Sequence, residues 1–206
     1  MGIGIVDVGI GNVGSLRGAL YSQGWDAHLV RSAGDVSPSS HLILPGVGSF
    51  NEGMKRLDQT GLTEEILRHA KSGKPLLGIC LGMQMLACFG DEGGKREGLS
   101  LIPGSIKKLD VQPKLNLPHV GWNTVDLTRD HPVLKGIRRG VDFYFVHSYY
   151  FEPIQHESVI GLTEYGKTFS SGIALKNVVG FQFHPEKSQR NGLKILENFC
   201  EWQGNA

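Results

Sequence analysis

A doubly wound α/β fold is what this sequence predicts: a mainly parallel sheet flanked by helices, with an antiparallel extension in the second half. Three observations carry that expectation. Through the first half, short apolar runs alternate with stretches of helical spacing. The runs are apolar throughout rather than at every second position, as strands covered on both faces are. The second half then offers strand after strand with few helices between. The length of 206 residues suits one domain, 1–206, and no repeat, low-complexity tract or long Ser/Pro linker divides it.

The first strand is the β-branched run from Ile3 to Val8, closed by glycines. A helix from Asn12 to Tyr21 follows, with Val13, Leu16, Ala19 and Leu20 at helical spacing. His41 to Leu44, before Pro45-Gly46, reads as a second buried strand, and Leu62, Ile66, Leu67 and Ala70 mark a helix after it. Pro75 to Ile79 gives another strand, leading into Cys80 and an apolar helical stretch that includes Cys88, expected in the core. Later strands are expected at Ser105 to Leu109, Val141 to His147, Tyr149 to Glu152 and Val178 to Phe183. A final helix from about Arg190 to Gln203 sets Leu193, Leu196, Phe199 and Cys200 on one face, which packs it against the sheet.

With 21 basic and 20 acidic side chains the net charge is near zero, so nothing marks a nucleic-acid or anionic-membrane partner. A small neutral or zwitterionic substrate fits better. Cys80, Cys88 and Cys200 form no CxxC pair, no disulfide framework and no metal-ligand spacing; their odd number points to reduced thiols inside the cell. No stretch has the basic flank of a signal peptide or the roughly 18 apolar residues of a membrane span, so a soluble, cytoplasmic protein is expected.

Gly78-Ile79-Cys80-Leu81-Gly82, between a strand and a helix, describes a nucleophile elbow: the glycines allow a sharp turn and close backbone approach. A thiol there meets the positive end of a helix dipole and free amides, both of which favour an anion. The amide of Leu81 is a natural oxyanion donor. A glycine-flanked cysteine alone is as readily a core residue, and it is His184-Pro185-Glu186 that changes the balance. In an extended segment residues i and i+2 share a face, so Phe181 and Phe183 enter the core while Glu186 orients His184 as base. Asp7 is a weaker orienter, and His119, His131 and His147 lack a carboxylate at i+2 and read as structural or surface residues.

Gly9-Ile10-Gly11-Asn12-Val13-Gly14 matches GxGxxG after a strand and before a helix, with Arg31 available to a phosphorylated ribose. A dinucleotide-binding module is therefore a competing reading. Against it, the motif alone is weak and the chain leaves little room for a substrate domain.

Pro45-Gly46-Val47-Gly48, Gly78 to Gln84 and Gln182 to Glu186 together resemble the class I (triad) glutamine amidotransferases. More narrowly, Asp7 to Asn12 with Ser15, Pro118-His119-Val120-Gly121-Trp122-Asn123, Tyr144 to Tyr150 and Lys187-Ser188 resemble the glutaminase subunits of imidazole glycerol phosphate synthases. The similarity runs from Ile3 to Phe199; one departure is Val8, where tyrosine is usual after Asp7. The resemblance implies a flavodoxin-like fold, no metal or other cofactor, and hydrolysis of L-glutamine through a glutamyl thioester on Cys80, with His184 and Glu186. It implies oxyanion amides from Gly46, Val47, Gly48 and Leu81, and a substrate held by Gln84 and the backbone of Ser148, Tyr149 and Tyr150. It also implies a heterodimer with a (β/α)-barrel cyclase subunit of histidine biosynthesis, fed with ammonia through a channel, with His119, Trp122, Tyr144, His147 and Lys187 at or near the interface. Ligand on that partner would switch the glutaminase on by reorienting the Val47-Gly48 peptide. A partner-independent thiol hydrolase acting on glutamyl conjugates is the alternative within the same chemistry.

Overall fold

A computed structural model describes residues 2–111 and 115–205; Met1 and Ala206, the ends of the expected domain, lie outside it. The first half is built from β1 (Ile3–Val6), α1 (Val13–Tyr21), β2 (Ala27–Val30), α2 (Ala33–Val36), β3 (His41–Gly46), α3 (Phe50–Thr60), α4 (Leu62–Lys71), β4 (Leu76–Cys80) and α5 (Leu81–Met85). The second half brings β5 (Phe89–Gly90), β6 (Arg96–Glu97), β7 (Gly104–Lys108), β8 (His119–Leu127), β9 (Val141–His147), β10 (Tyr149–Pro153), β11 (Val159–Tyr165), β12 (Lys167–Leu175), β13 (Val178–Phe181) and α6 (Gln189–Glu201).

The parallel part of the sheet runs β2-β1-β3-β4-β13. From β13 it turns antiparallel through β12 and β10 to β7, and β11 leaves β12 to join the β8–β9 hairpin. Alternation along the strands sorts side chains into two layers. Ile3, Ile5, Ile43, Leu77 and Ile79 pack with Leu16 and Leu20 of α1 and Ile195, Leu196 and Phe199 of α6. Val6, Leu42, Leu44 and Leu76 pack on the other face with Phe50, Met54, Leu57, Leu62 and Ile66 of α3 and α4. Each fully buried Leu, Ile or Phe contributes about 1.5–3 kcal/mol, and this two-faced burial is why the strands carry no polar stripe.

Local chemistry sets the element ends. The first strand stops at Val6, short of the expected Val8: the Asp7 amide still donates to the Val30 carbonyl, and Gly9 then turns at φ 77°. Asn12 caps α1, its Oδ1 accepting from the Ser15 amide at 3.2 Å. Gly61, left-handed at φ 69°, ends α3 and admits α4 at once. The helix after Cys80 closes after five residues, so Cys88 lies beyond it, half-buried, not in the core as expected. Its amide instead donates to the Gly104 carbonyl at the mouth of β7. Cys200 is fully buried in α6, and burial pushes its thiol up to about 12. Among the described residues no helix is long and apolar enough to cross a membrane.

Candidate active site

The carboxyl ends of β3, β4 and β13 meet at one edge of the sheet, and Cys80 stands at their centre. Gly46 pairs with Cys80 across β3 and β4, which sets the Pro45-Gly46-Val47-Gly48 loop beside the thiol. Cys80 adopts φ 54°, ψ −111°, a region that costs a non-glycine residue on the order of 1–3 kcal/mol and persists only where the surroundings enforce it. Its flanking glycines do the enforcing. A Cβ on Gly78 would lie 2.7 Å from the Gly82 carbonyl oxygen, and one on Gly82 would run into the Leu44 carbonyl. The chain turns on contact distances that only glycine allows.

His184 follows β13, but not as an extended continuation of it. The strand ends at Phe181, and Pro185–Lys187 forms a 3-10 turn, so the i, i+2 pairing with Glu186 is made by a tight turn rather than by strand alternation as expected. His184 Nδ1 donates to Glu186 Oε1 at 2.8 Å, both side chains being buried. Phe181 and Phe183 enter the core and stack at 4.9 Å. Ser188 fastens the turn to β9: its hydroxyl donates to the His184 carbonyl at 2.6 Å and accepts from the Tyr144 amide at 2.9 Å. No local sequence signal marks Ser188 for that role.

Burial alone would depress the His184 pKa, yet Cys80 and Glu186 together overcome it and raise it to about 10. The imidazole is thus protonated through the neutral range. In this resting geometry the thiol donates weakly to the Val146 carbonyl at 3.7 Å, and His184 Nε2, although next to the sulfur, is buried without a hydrogen-bond partner. Gln182 Nε2 lies 3.8 Å from Sγ.

A cleft of 140 Å³ opens over the thiol, lined by Val47, Gly48, Leu81, Gln84, Ser148 and Tyr149 among others. That is below the roughly 300–1,000 Å³ of drug-sized sites and suits a small amino acid. Gln84 Nε2 donates to the Tyr149 carbonyl at 2.9 Å and to Gln182 Oε1 at 3.1 Å. Tyr150 does not join this wall. As the next residue on β10 its side chain is buried elsewhere, its hydroxyl accepting from Lys167 Nζ at 2.7 Å and donating to Glu152 at 3.0 Å. Glu92, which no sequence motif singles out, does line the cleft. Burial raises its pKa, and its carboxylate accepts from the Phe50 amide at 2.9 Å.

The Val47 amide points away from the thiol, donating to the Ile10 carbonyl at 2.6 Å. Gly48 beyond it sits at φ 104°. The glycine-rich loop of residues 9–14 therefore braces the Val47 peptide, while Asp7 is held by Arg31 at 2.9 Å, remote from the role of orienter. Of the residues expected at the partner face, Trp122 is 48% exposed and Lys187 reaches solvent over the half-buried Tyr144 ring at 5.7 Å. His119 and His147 lie beneath that face, both buried. His131 is buried too, so all three are structural in place, none at the surface.

The glutamine amidotransferase class-I family profile matches residues 4–202. A protein of Moorella thermoacetica named imidazole glycerol phosphate synthase subunit HisH is 46% identical over 199 residues, covering 97% of this chain and 94% of its own. Its namesake from Caldanaerobacter subterraneus subsp. tengcongensis is 48% identical over 200 residues, covering 97% of each. Among solved structures, one described as a glutamine amidotransferase superposes with a TM-score of 0.73 at 18% identity, over 97% of each chain. PurLQS from Thermotoga maritima does so with the same TM-score, 0.73, and the same identity, 18%, again over 97% of each.

Proposed function

The chain belongs to the class-I glutamine amidotransferases and, within them, to the HisH subunits of imidazole glycerol phosphate synthase; from that premise we propose that Cys80, His184 and Glu186 are its catalytic triad. The enzyme hydrolyses L-glutamine for histidine biosynthesis. In the proposed mechanism Cys80 Sγ attacks the side-chain amide carbon, His184 protonates the leaving ammonia, and water, deprotonated by His184, cleaves the glutamyl thioester to glutamate. Glu186 holds the imidazole by Nδ1 and stabilises its protonated form, in keeping with the 2.8 Å contact and the raised pKa.

The substrate's α-amino end fits the far wall of the cleft. An ammonium group calls for the Glu92 carboxylate, and Gln84 with the Ser148-Tyr149 backbone offers polar partners for the rest. Leu81, first residue of α5, carries an amide without an intrahelical acceptor and serves as one oxyanion donor. Gly46 to Gly48 provide the second donor after the Val47 peptide turns. The whole chain, 1–206, is read as one amidotransferase domain, cytoplasmic in keeping with its three free thiols. Its partner, a (β/α) barrel docked on the face of Trp122, Tyr144 and Lys187 with His119 and His147 beneath, is the cyclase subunit.

The observation that carries this reading is the strained Cys80 with a buried, carboxylate-paired imidazole beside it. An electrophilic glutamine analogue tests it directly. Peptide mass analysis should find the adduct on Cys80, buried though it is, and not on the more accessible Cys88; preferential labelling of Cys88 would remove Cys80 from the mechanism.

Glu186→Gln gives a second check. The raised His184 pKa favours the protonated form, so that contribution is present below the ordinary 6.5 and is lost as pH rises through about 10. Removing the carboxylate lowers the folded pKa by about one unit or more. The alkaline limb of kcat/KM should move to lower pH, and turnover should fall by less than the roughly 10²–10⁴-fold that general acid–base catalysis supplies in full. An unmoved limb would deny Glu186 its role.

A further inference from the structure

A line of buried hydrogen bonds runs from the β8–β9 hairpin to the wall of the cleft, and its direction is pinned at both ends. At the outer end, Asn123 Oδ1 accepts from the Thr124 amide at 2.8 Å, so its Nδ2 is the atom that faces His119 Nε2 at 3.3 Å and the Glu164 carbonyl at 2.9 Å. At the inner end, the Tyr149 carbonyl can only accept, so His147 Nδ1, 2.8 Å away, carries the hydrogen. A neutral His147 then presents a lone pair at Nε2. His119, its cross-strand partner, lies 3.1 Å away through Nδ1 and must be the donor. That leaves a lone pair on His119 Nε2, and Asn123 offers the matching N–H. Every donor meets an acceptor in one arrangement only.

Packing keeps the line in place. The His119 ring is stacked between Tyr165 at 4.0 Å and Phe145 at 4.9 Å. Burial lowers the pKa of His119 to about 4 and that of His147 to about 3, so both rings stay neutral at physiological pH. The inner end matters for the cleft: the Tyr149 carbonyl that receives His147 also receives Gln84 Nε2, and Gln84 and His147 both line the cleft with Cys80.

We propose that His147, backed by His119 and Asn123, is a positioning residue for the glutamine cleft: it fixes the Tyr149 peptide from which Gln84 hangs, and ties that wall to the hairpin carrying Trp122. This rests on reading the cleft as the glutamine site. His147 touches no reacting atom; it acts through the carbonyl it orients.

The test uses the complex with the cyclase subunit and its ligand. Asparagine can place an amide N–H where His147 Nδ1 stands, whereas glutamine places its amide near Nε2. His147→Asn should therefore keep the KM for glutamine within about threefold, and His147→Gln should raise it about tenfold with kcat little changed, the pattern of lost uniform binding. A merely space-filling role would move both variants alike, and equal KM values would overturn the proposal. Should either variant fail to fold, ¹⁵N spectra of histidine-labelled wild-type complex decide it: both His119 and His147 should be Nδ1–H tautomers, and an Nε2–H tautomer at His147 would overturn it. A wild-type complex that released no glutamate would instead bring down the glutaminase reading, and the positioning role with it.

Discussion

Cys80→Ala should abolish glutamate release while leaving the fold and the affinity for the cyclase subunit unchanged. The loss follows from chemistry, since without sulfur no thioester forms and water must attack the amide unaided. Triad hydrolases stripped of their nucleophile lose about 10⁶-fold in turnover, with only transition-state binding left. Preservation of the fold follows from the site's geometry. Alanine keeps the Cβ and so inherits the φ of 54° with neither relief nor added strain. The only hydrogen bonds lost are the thiol's long contacts to the Val146 carbonyl at 3.7 Å and from Gln182 Nε2 at 3.8 Å. Cys80 is also buried, 5% exposed, and the partner face proposed above lies across Trp122 and Lys187, so docking should not sense the change. Turnover by the variant complex, checked by coupled glutamate assay alongside calorimetric titration of the partner, would contradict the mechanism if it stayed within tenfold of wild type.

The parts of this site legible in the sequence are those whose geometry is local. Gly78 and Gly82 announce the turn at Cys80 because the contacts that exclude side chains there lie within the elbow or against the next strand. His184 and Glu186 are two residues apart, so any tight geometry brings them together; their shared face is legible, although a 3-10 turn and not a strand produces it. What the sequence hides depends on distant pairing. Glu92 reaches the cleft from the turn between β5 and β6 and is held there by the Phe50 amide, 42 residues away. His119 and His147 look like bystanders until β8 and β9 pair in a register that sets them opposite each other. Tyr150 reads as a companion of Tyr149 at the cleft, but neighbours on a strand point to opposite faces. The long strand β12 is masked in the sequence because Ser170-Ser171-Gly172 breaks the apolar pattern, although Ser171 is buried and bonded to Thr163 at 2.8 Å.

Alone, the chain should hydrolyse glutamine about a hundred- to a thousandfold more slowly than in complex with the cyclase subunit and its ligand, the factor that one oxyanion donor is worth. The resting structure has one such donor ready, the Leu81 amide, while the second is turned away: Val47 N–H is committed to the Ile10 carbonyl at 2.6 Å. Turning the peptide breaks one backbone hydrogen bond, a net cost of about 0.5–1.5 kcal/mol, against the roughly 2.7–4 kcal/mol that a placed oxyanion donor returns in the transition state. The balance is close enough for a partner's contacts to tip it. Gly48, at φ 104° with no atom within 4 Å of where a Cβ would stand, lets the chain pass between the two orientations without collision. Val47 is 42% exposed at the rim, where a docked partner can reach it. Steady-state glutamate release measured for the isolated chain, then with the cyclase subunit, then with its ligand added, should climb mainly in kcat, because the donor acts on the tetrahedral intermediate and not on bound glutamine. Full speed in isolation would mean that the peptide needs no turning and that the Ile10 contact is no brake.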